Sequence, residues 1–174
     1  IAAILTRFNQ SRASLAALDV LMQTPVDRPD GRSFVSRPNL GGQITFKDVT
    51  FTYPGQNTPA LNKVSFTINA GEKIGIVGRI GCGKSTLERL LIGLYEPEEG
   101  AILVDGTDVR QIDPADLRHS VGCVPQDQYL FFGSVKENIA LGAPFADDAT
   151  ILRAARIAGV DEFVNRHPQG FDMP

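Results

Sequence analysis

Cysteine is scarce in this 174-residue chain: there are two, Cys82 and Cys123, at no metal-ligand spacing. One lies inside a glycine-rich loop that a disulfide would distort, so the pair gives neither a disulfide framework nor a zinc site and points to a reducing setting. Excess charge of one sign is equally scarce. A net charge of −3 with no long Lys/Arg block leaves no electrostatic footprint for a nucleic-acid backbone or an anionic bilayer surface, so no nucleic-acid partner is expected. No apolar run reaches the length of about eighteen residues that a membrane span needs, no secretory leader opens the chain and no internal repeat is visible. The chain opens at Ile1 within an apolar run and stops at FDMP, and both ends are expected to continue into a longer protein.

What is present is the composition of one globular domain with an apolar core, 43% hydrophobic. Residues 1–23 carry Ile4, Leu5, Phe8, Leu15, Leu18, Leu21 and Met22 near the helical period and predict one amphipathic helix. Three prolines and three glycines in residues 24–42 predict a linker. QITFKDVTFTY and LNKVSFTIN read as two antiparallel strands. EKIGIVG then reads as a strand covered on both faces, and residues 85–94 as a helix. AILVDGTDVR gives a strand, a turn and a short strand; DPADLRHS gives a helix with Pro114 in its first turn; VGCVPQD gives another short strand; VKENIAL and DDATILRAARIAG give helices. Strands alternating with helices argue for an α/β fold.

Residues 78–86, GRIGCGKST, stand between the EKIGIVG strand and its following helix and satisfy G-x-x-x-x-G-K-S. Gly78 and Gly83 are the fixed glycines, and Arg79, Ile80, Gly81 and Cys82 fill the curl between them. Residues without a Cβ let successive N–H groups converge on one anion, and the helix N-terminus adds its positive dipole end. Lys84 can neutralise β- and γ-phosphates, Ser85 can offer an oxygen to Mg²⁺, and Thr86 can reach the α-phosphate. Cys82 sits beside a helix start and Lys84, where a thiol-directed reagent is expected to block nucleotide binding. The loop alone does not separate kinases, GTPases and transport ATPases.

FTYPG around Tyr53, GRIGCGKST, GLYEPEEGAILVDG at 93–106 and VPQDQYLFFGSVKENIALG at 124–142, in this order, resemble the ATP-binding domain of ABC exporters. The resemblance implies a P-loop NTPase fold of the ABC type, whose N-terminal part, an antiparallel β subdomain with a RecA-like parallel sheet core, covers residues 43–174. Residues 1–23 would then be the cytoplasmic extension of the last transmembrane-domain helix, and 24–42 the linker. It implies that the Tyr53 ring stacks on adenine, and that Gln126 touches Mg²⁺ and the attacking water and relays nucleotide state to the membrane domain. ATP and Mg²⁺ are the implied ligands. The implied partners are a second ATP-binding domain closing head to tail, the chain's own transmembrane domain and an exported substrate. RQIDPADLR, ENIALG and GVDEFVNRHPQGFD are most similar to type I secretion permease/ATPases, which implies a protein cargo and the cytoplasmic face of a bacterial inner membrane.

Two segments imitate family motifs. AILVDG looks like a Walker B strand, but Gly106 follows Asp105 where a catalytic glutamate is needed, and Asp-Gly is a turn signal, so Asp105 reads as a turn residue. LGGQ at 40–43 echoes the LSGGQ signature without its serine, and no role is assigned to it. His119 and His167 have no partner in the pattern and read as structural or solvent-facing. The family's signature, Walker B aspartate, catalytic glutamate and switch histidine are expected beyond Pro174. A parent protein would then hydrolyse ATP, whereas residues 1–174 would bind it and leave a sheet edge exposed. A soluble P-loop kinase and a non-enzymatic nucleotide-binding regulator are the rival readings.

Overall fold

The computed structural model describes residues 2–24, 26–29 and 31–174, with side chains described from residue 7 onward. Ile1 and the side chains of Ile4 and Leu5, part of the expected helical pattern, lie outside the described residues. Two compact units are present, Ile1–Cys123 and Val124–Pro174.

The first unit is built on β1 (Ile44–Phe51), β2 (Leu61–Ile68), β3 (Glu99–Val104) and β4 (Thr107–Asp108), paired antiparallel in the order β2-β1-β3-β4. Phe46 stands opposite Phe66 on β2 and Ile102 on β3. The two Phe rings stack with centroids 4.6 Å apart. Strict alternation would turn Val49 away from the side that Phe46 faces. A register shift after Phe46, with Asp48 at φ 46°, lets Phe46, Val49 and Phe51 all be buried. Opposite this bulge a Cβ on Gly100 would come within 2.2 Å of the Lys47 carbonyl oxygen, so glycine alone fits there.

Two helices cover the sheet. α2 (Lys84–Leu91) contributes Leu90, and α3 (Pro114–Ser120) contributes Leu117; both are buried with Leu61, Ile102, Val104, Val109 and Ile112. Each such aliphatic side chain stabilises by roughly 1.5–3 kcal/mol relative to an exposed one. The Asp113 side chain accepts the Ala115 amide at 2.9 Å and caps α3, with Pro114 in the first turn as expected.

α1 (Ala2–Met22) forms where the sequence put it, but its apolar residues do not gather in one stripe. Val20, Leu21 and Met22 are successive positions, about 100° apart on a helix, and all are exposed. The amphipathic expectation is corrected: residues 7–22 are exposed on every side. The segment between α1 and β1 is irregular, as its prolines and glycines require, and is strapped to the first unit. Val35 bridges Ile112, Arg28 pairs with Asp113 at 2.5 Å, Asp27 pairs with Arg118 at 2.6 Å, and the Arg37 amide donates to Asp116 at 2.8 Å.

Two expected strands do not form. Residues 72–79 have no strand pairing and Val77 is 97% exposed; residues 121–125 are likewise without a ladder. An apolar run specifies that a strand will be covered, but the ladder needs a neighbour, and among the described residues none lies alongside either segment. The antiparallel half of the expected fold is therefore assembled, and the parallel core is not assembled among the described residues.

The second unit holds α4 (Val135–Ile139), α5 (Asp148–Ala158), α6 (Asp161–Val164) and a 3-10 turn (Gly170–Asp172), packed on Ile151, Ala155 and Val164. α4 opens with a capping box: the Glu137 amide donates to Ser134 Oγ at 3.2 Å while Glu137 accepts the Ser134 amide at 2.7 Å. Asp147 caps α5 through the Thr150 amide at 2.9 Å. Among the described residues no helix is long and apolar enough to cross a membrane.

Candidate nucleotide-binding site

The glycine-rich loop curls between the extended segment at 72–77 and the start of α2. Gly83 caps α2 at φ 90°, a conformation side chains disfavour, and a Cβ there would lie 2.6 Å from the Ala60 carbonyl oxygen. The Thr86 and Leu87 amides already donate to the Gly83 carbonyl. The amides of Gly81, Gly83, Lys84 and Ser85 have no acceptor among the described residues, as a phosphate nest requires. Lys84 Nζ folds back to donate to the carbonyls of Gly78 at 2.9 Å and Arg79 at 2.8 Å, and lies 3.6 Å from Cys82 Sγ. These are neutral acceptors that a phosphate oxygen would outcompete. Ile80 and Cys82 are exposed, and Ser85 presents an exposed hydroxyl at the helix start.

Tyr53, just past the end of β1, meets this loop. Tyr53, Gln56, Thr58, Ala60, Gly81, Gly83, Lys84, Ser85, Thr86 and Arg89 line one cavity of about 430 Å³. The ring is half-buried, edge-on to Phe51 with centroids 4.9 Å apart and to Tyr95 at 5.3 Å. Its hydroxyl is 3.1 Å from Thr86 Oγ1 and accepts from Arg89 Nη1 at 3.0 Å. Thr86 is thus buried against Tyr53 at the wall of the cavity. The hydrogen bond to Tyr53 is the main influence holding the Arg89 guanidinium pKa above its ordinary value.

Sequence reasoning missed Arg89, Gln56, Thr58 and Ala60. Arg89 had one available signal: on a helix it follows Thr86 by three positions and Ser85 by four, which places all three on one face. The others belong to the irregular segment between β1 and β2, whose course no local pattern fixes. Gln126 lies in the second unit, exposed at a bend in the irregular stretch before α4.

The two imitations of family motifs bind each other. Asp105 occupies a left-handed turn position at φ 50° between β3 and β4, as expected of a turn residue. Its carboxylate accepts the amides of Gln43 at 2.9 Å and Gly41 at 2.5 Å. Those bonds, that of Gln43 foremost, hold its pKa below the usual carboxylate range. The aspartate that resembles a metal ligand is a clamp on the LGGQ segment.

With loop, cavity and sheet placed, the comparisons with known proteins agree. The chain matches the family described as ABC transporter over residues 61–172, more than half of its length. It is 39% identical over 165 residues to the exotoxin translocation ATP-binding protein PaxB of Pasteurella aerogenes, covering 95% of this chain and 23% of that protein. It is 39% identical, with the same coverages, to the alpha-hemolysin translocation ATP-binding protein HlyB of Escherichia coli O157:H7. The uncharacterized ABC transporter ATP-binding protein YfiC of Bacillus subtilis is 40% identical over 171 residues, covering 95% of this chain and 28% of that protein. Among solved structures, a bacterial Atm1-family ABC exporter with ATP bound superposes with a TM-score of 0.79 at 35% identity, covering 95% of this chain and 29% of that one. The fold is that of an ABC-type ATP-binding domain, and the chain belongs to the ABC transporter family. It spans about a quarter of the length of these relatives.

Proposed function

We propose that residues 1–174 are the ATP-binding part of an exporter that couples ATP hydrolysis to movement of a substrate across a membrane. The observation that carries this reading is the single cavity that joins an aromatic ring, Tyr53, to the loop amides and Lys84. A ring at one end and a cradle of N–H donors with an ammonium at the other match a base and a triphosphate. Tyr53 would take the adenine by stacking; Gly78, Arg79, Ile80, Gly81, Cys82 and Gly83 would shape the cradle; Lys84, Ser85 and Thr86 would hold the phosphate end. Ser85 would offer its hydroxyl oxygen to Mg²⁺, which when bound neutralises charge on the phosphates. Membership of the ABC transporter family removes the soluble kinase as a competing reading.

Residues 1–23 are assigned as the extension of a membrane-domain helix and 24–42 as the linker to residues 43–174. The uniform exposure of residues 7–22 supports this, since a helix serving the domain alone would bury a face on it. The unpaired apolar segment at 72–77 would take its neighbours from the remainder of the intact protein. A second ATP-binding domain, the membrane domain and an exported substrate complete the partners. PaxB and HlyB, whose names carry exotoxin and alpha-hemolysin translocation, support a protein cargo and a place at the cytoplasmic face of a bacterial inner membrane.

The test is Lys84→Ala in the intact protein, measured by ATPase activity and by the proteins recovered from the culture medium. Loss of hydrolysis together with the disappearance of a secreted protein is expected. Undiminished hydrolysis would overturn the ATPase assignment, and lost hydrolysis with an unchanged secreted set would overturn the protein cargo.

A further inference from the structure

Arg89 lies one helical turn beyond Ser85 and has no part in the phosphate cradle, yet it faces the same cavity. Its Nη1 donates to the Tyr53 hydroxyl oxygen at 3.0 Å and its Cζ stands 5.8 Å from the centre of the Tyr53 ring. The Tyr53 hydroxyl is also 3.1 Å from Thr86 Oγ1. Arginine has no acceptor, so the phenol oxygen accepts from Arg89, and either hydroxyl can be the donor between Tyr53 and Thr86. The three side chains form a hydrogen-bonded chain in which the Tyr53 hydroxyl joins Arg89 and Thr86, both on α2.

Phe51 and Tyr95 fix the ring by edge contacts, which set where the ring sits more firmly than how it is turned. The bond from Arg89 and the cation beside the ring supply that second restraint. Resting on the reading of Tyr53 as the adenine platform, we propose that Arg89 is a positioning residue for base recognition, holding the Tyr53 ring in the orientation that receives the base. It acts through Tyr53 and, among the described residues, makes no side-chain hydrogen bond to the loop residues of the phosphate cradle, so the effect is expected chiefly at the base.

The experiment compares MgATP with magnesium tripolyphosphate by calorimetry on the intact protein, as wild type, Arg89→Met, Arg89→Lys, Tyr53→Phe, Tyr53→Ala and the Arg89→Met/Tyr53→Phe pair. Arg89→Met is expected to weaken ATP by about fivefold and tripolyphosphate by less than about twofold, and Arg89→Lys to recover part of the loss, since a cation near an exposed ring is worth about that much. In the Tyr53→Phe background Arg89→Met is expected to cost less than it does alone, because the bond it removes is already gone. Equal losses for both ligands, unchanged ATP affinity in Arg89→Met, or additive losses in the pair would overturn the proposal. Tyr53→Ala separates the two layers: if it weakens both ligands equally, the stacking role falls; if it weakens ATP alone while Arg89→Met has no effect, only the role of Arg89 falls.

Discussion

Tyr53 and the loop residues are legible in the sequence for different reasons. A phosphate cradle is local: Gly83 must take a positive φ, Lys84 must follow it, and both requirements fit within one short stretch, so the motif and its structure coincide. Tyr53 became visible only through the family's motif order, since a tyrosine at a strand end is otherwise a common core residue. For Arg89 the helical spacing from Ser85 and Thr86 gave the face but not the partner, because its contact depends on the end of β1 meeting α2. Substituting Tyr53→Ala is expected to remove stacking worth about 1–3 kcal/mol and so to weaken ATP by roughly 5- to 150-fold, with tripolyphosphate nearly unchanged, by calorimetry. Gly83→Ala should abolish nucleotide binding and lower stability by about 1–3 kcal/mol in chemical denaturation, because the new Cβ meets the Ala60 carbonyl at a positive φ. In a Cys123→Ser background, maleimide modification of Cys82 should block MgATP binding and MgATP should slow the modification; labelling that leaves ATP affinity intact would contradict the position of the thiol in the cradle.

Asp105 gives a pH prediction at the same scale. Its folded pKa is depressed, foremost by the Gln43 amide, so the clamp's contribution is complete above the ordinary carboxylate range and is lost as pH falls through the lower folded value. The protection of the Gly41 and Gln43 amides, taken relative to their intrinsic exchange rates, should therefore fall as the medium is acidified below that range. In Asp105→Asn, whose amide cannot titrate, their exchange should lose this acid-dependent step. An identical acid profile in both proteins would contradict the clamp.

Among the elements, those whose partners are close in sequence were read correctly. β1 and β2 fold back through a short connection and β3 and β4 through an Asp-Gly turn, and each helix with a capping residue forms where the cap stands. The segment at 72–77 was read as a buried strand from its apolar run alone, and such a run records only that cover is required. Backbone amides of residues 74–77 are expected to exchange rapidly in the chain as it stands and to be strongly protected in the intact protein. Equal exchange in the two would mean that no further strand ever pairs with this segment. Ser134→Ala, which removes half of the capping box on α4, should cost about 1 kcal/mol of stability in the unit that carries it.

For the whole molecule, the proposed function rests on one coincidence of parts: a small antiparallel sheet delivers Tyr53 to the loop that opens α2, and the cavity between them would take the nucleotide. Hydrogen–deuterium exchange of the intact protein with and without MgATP tests this most directly. Simultaneous slowing in peptides covering residues 52–60 and 78–86 is the expected result. Exchange that stays the same in both stretches while ATP is bound would place the nucleotide elsewhere and contradict the site.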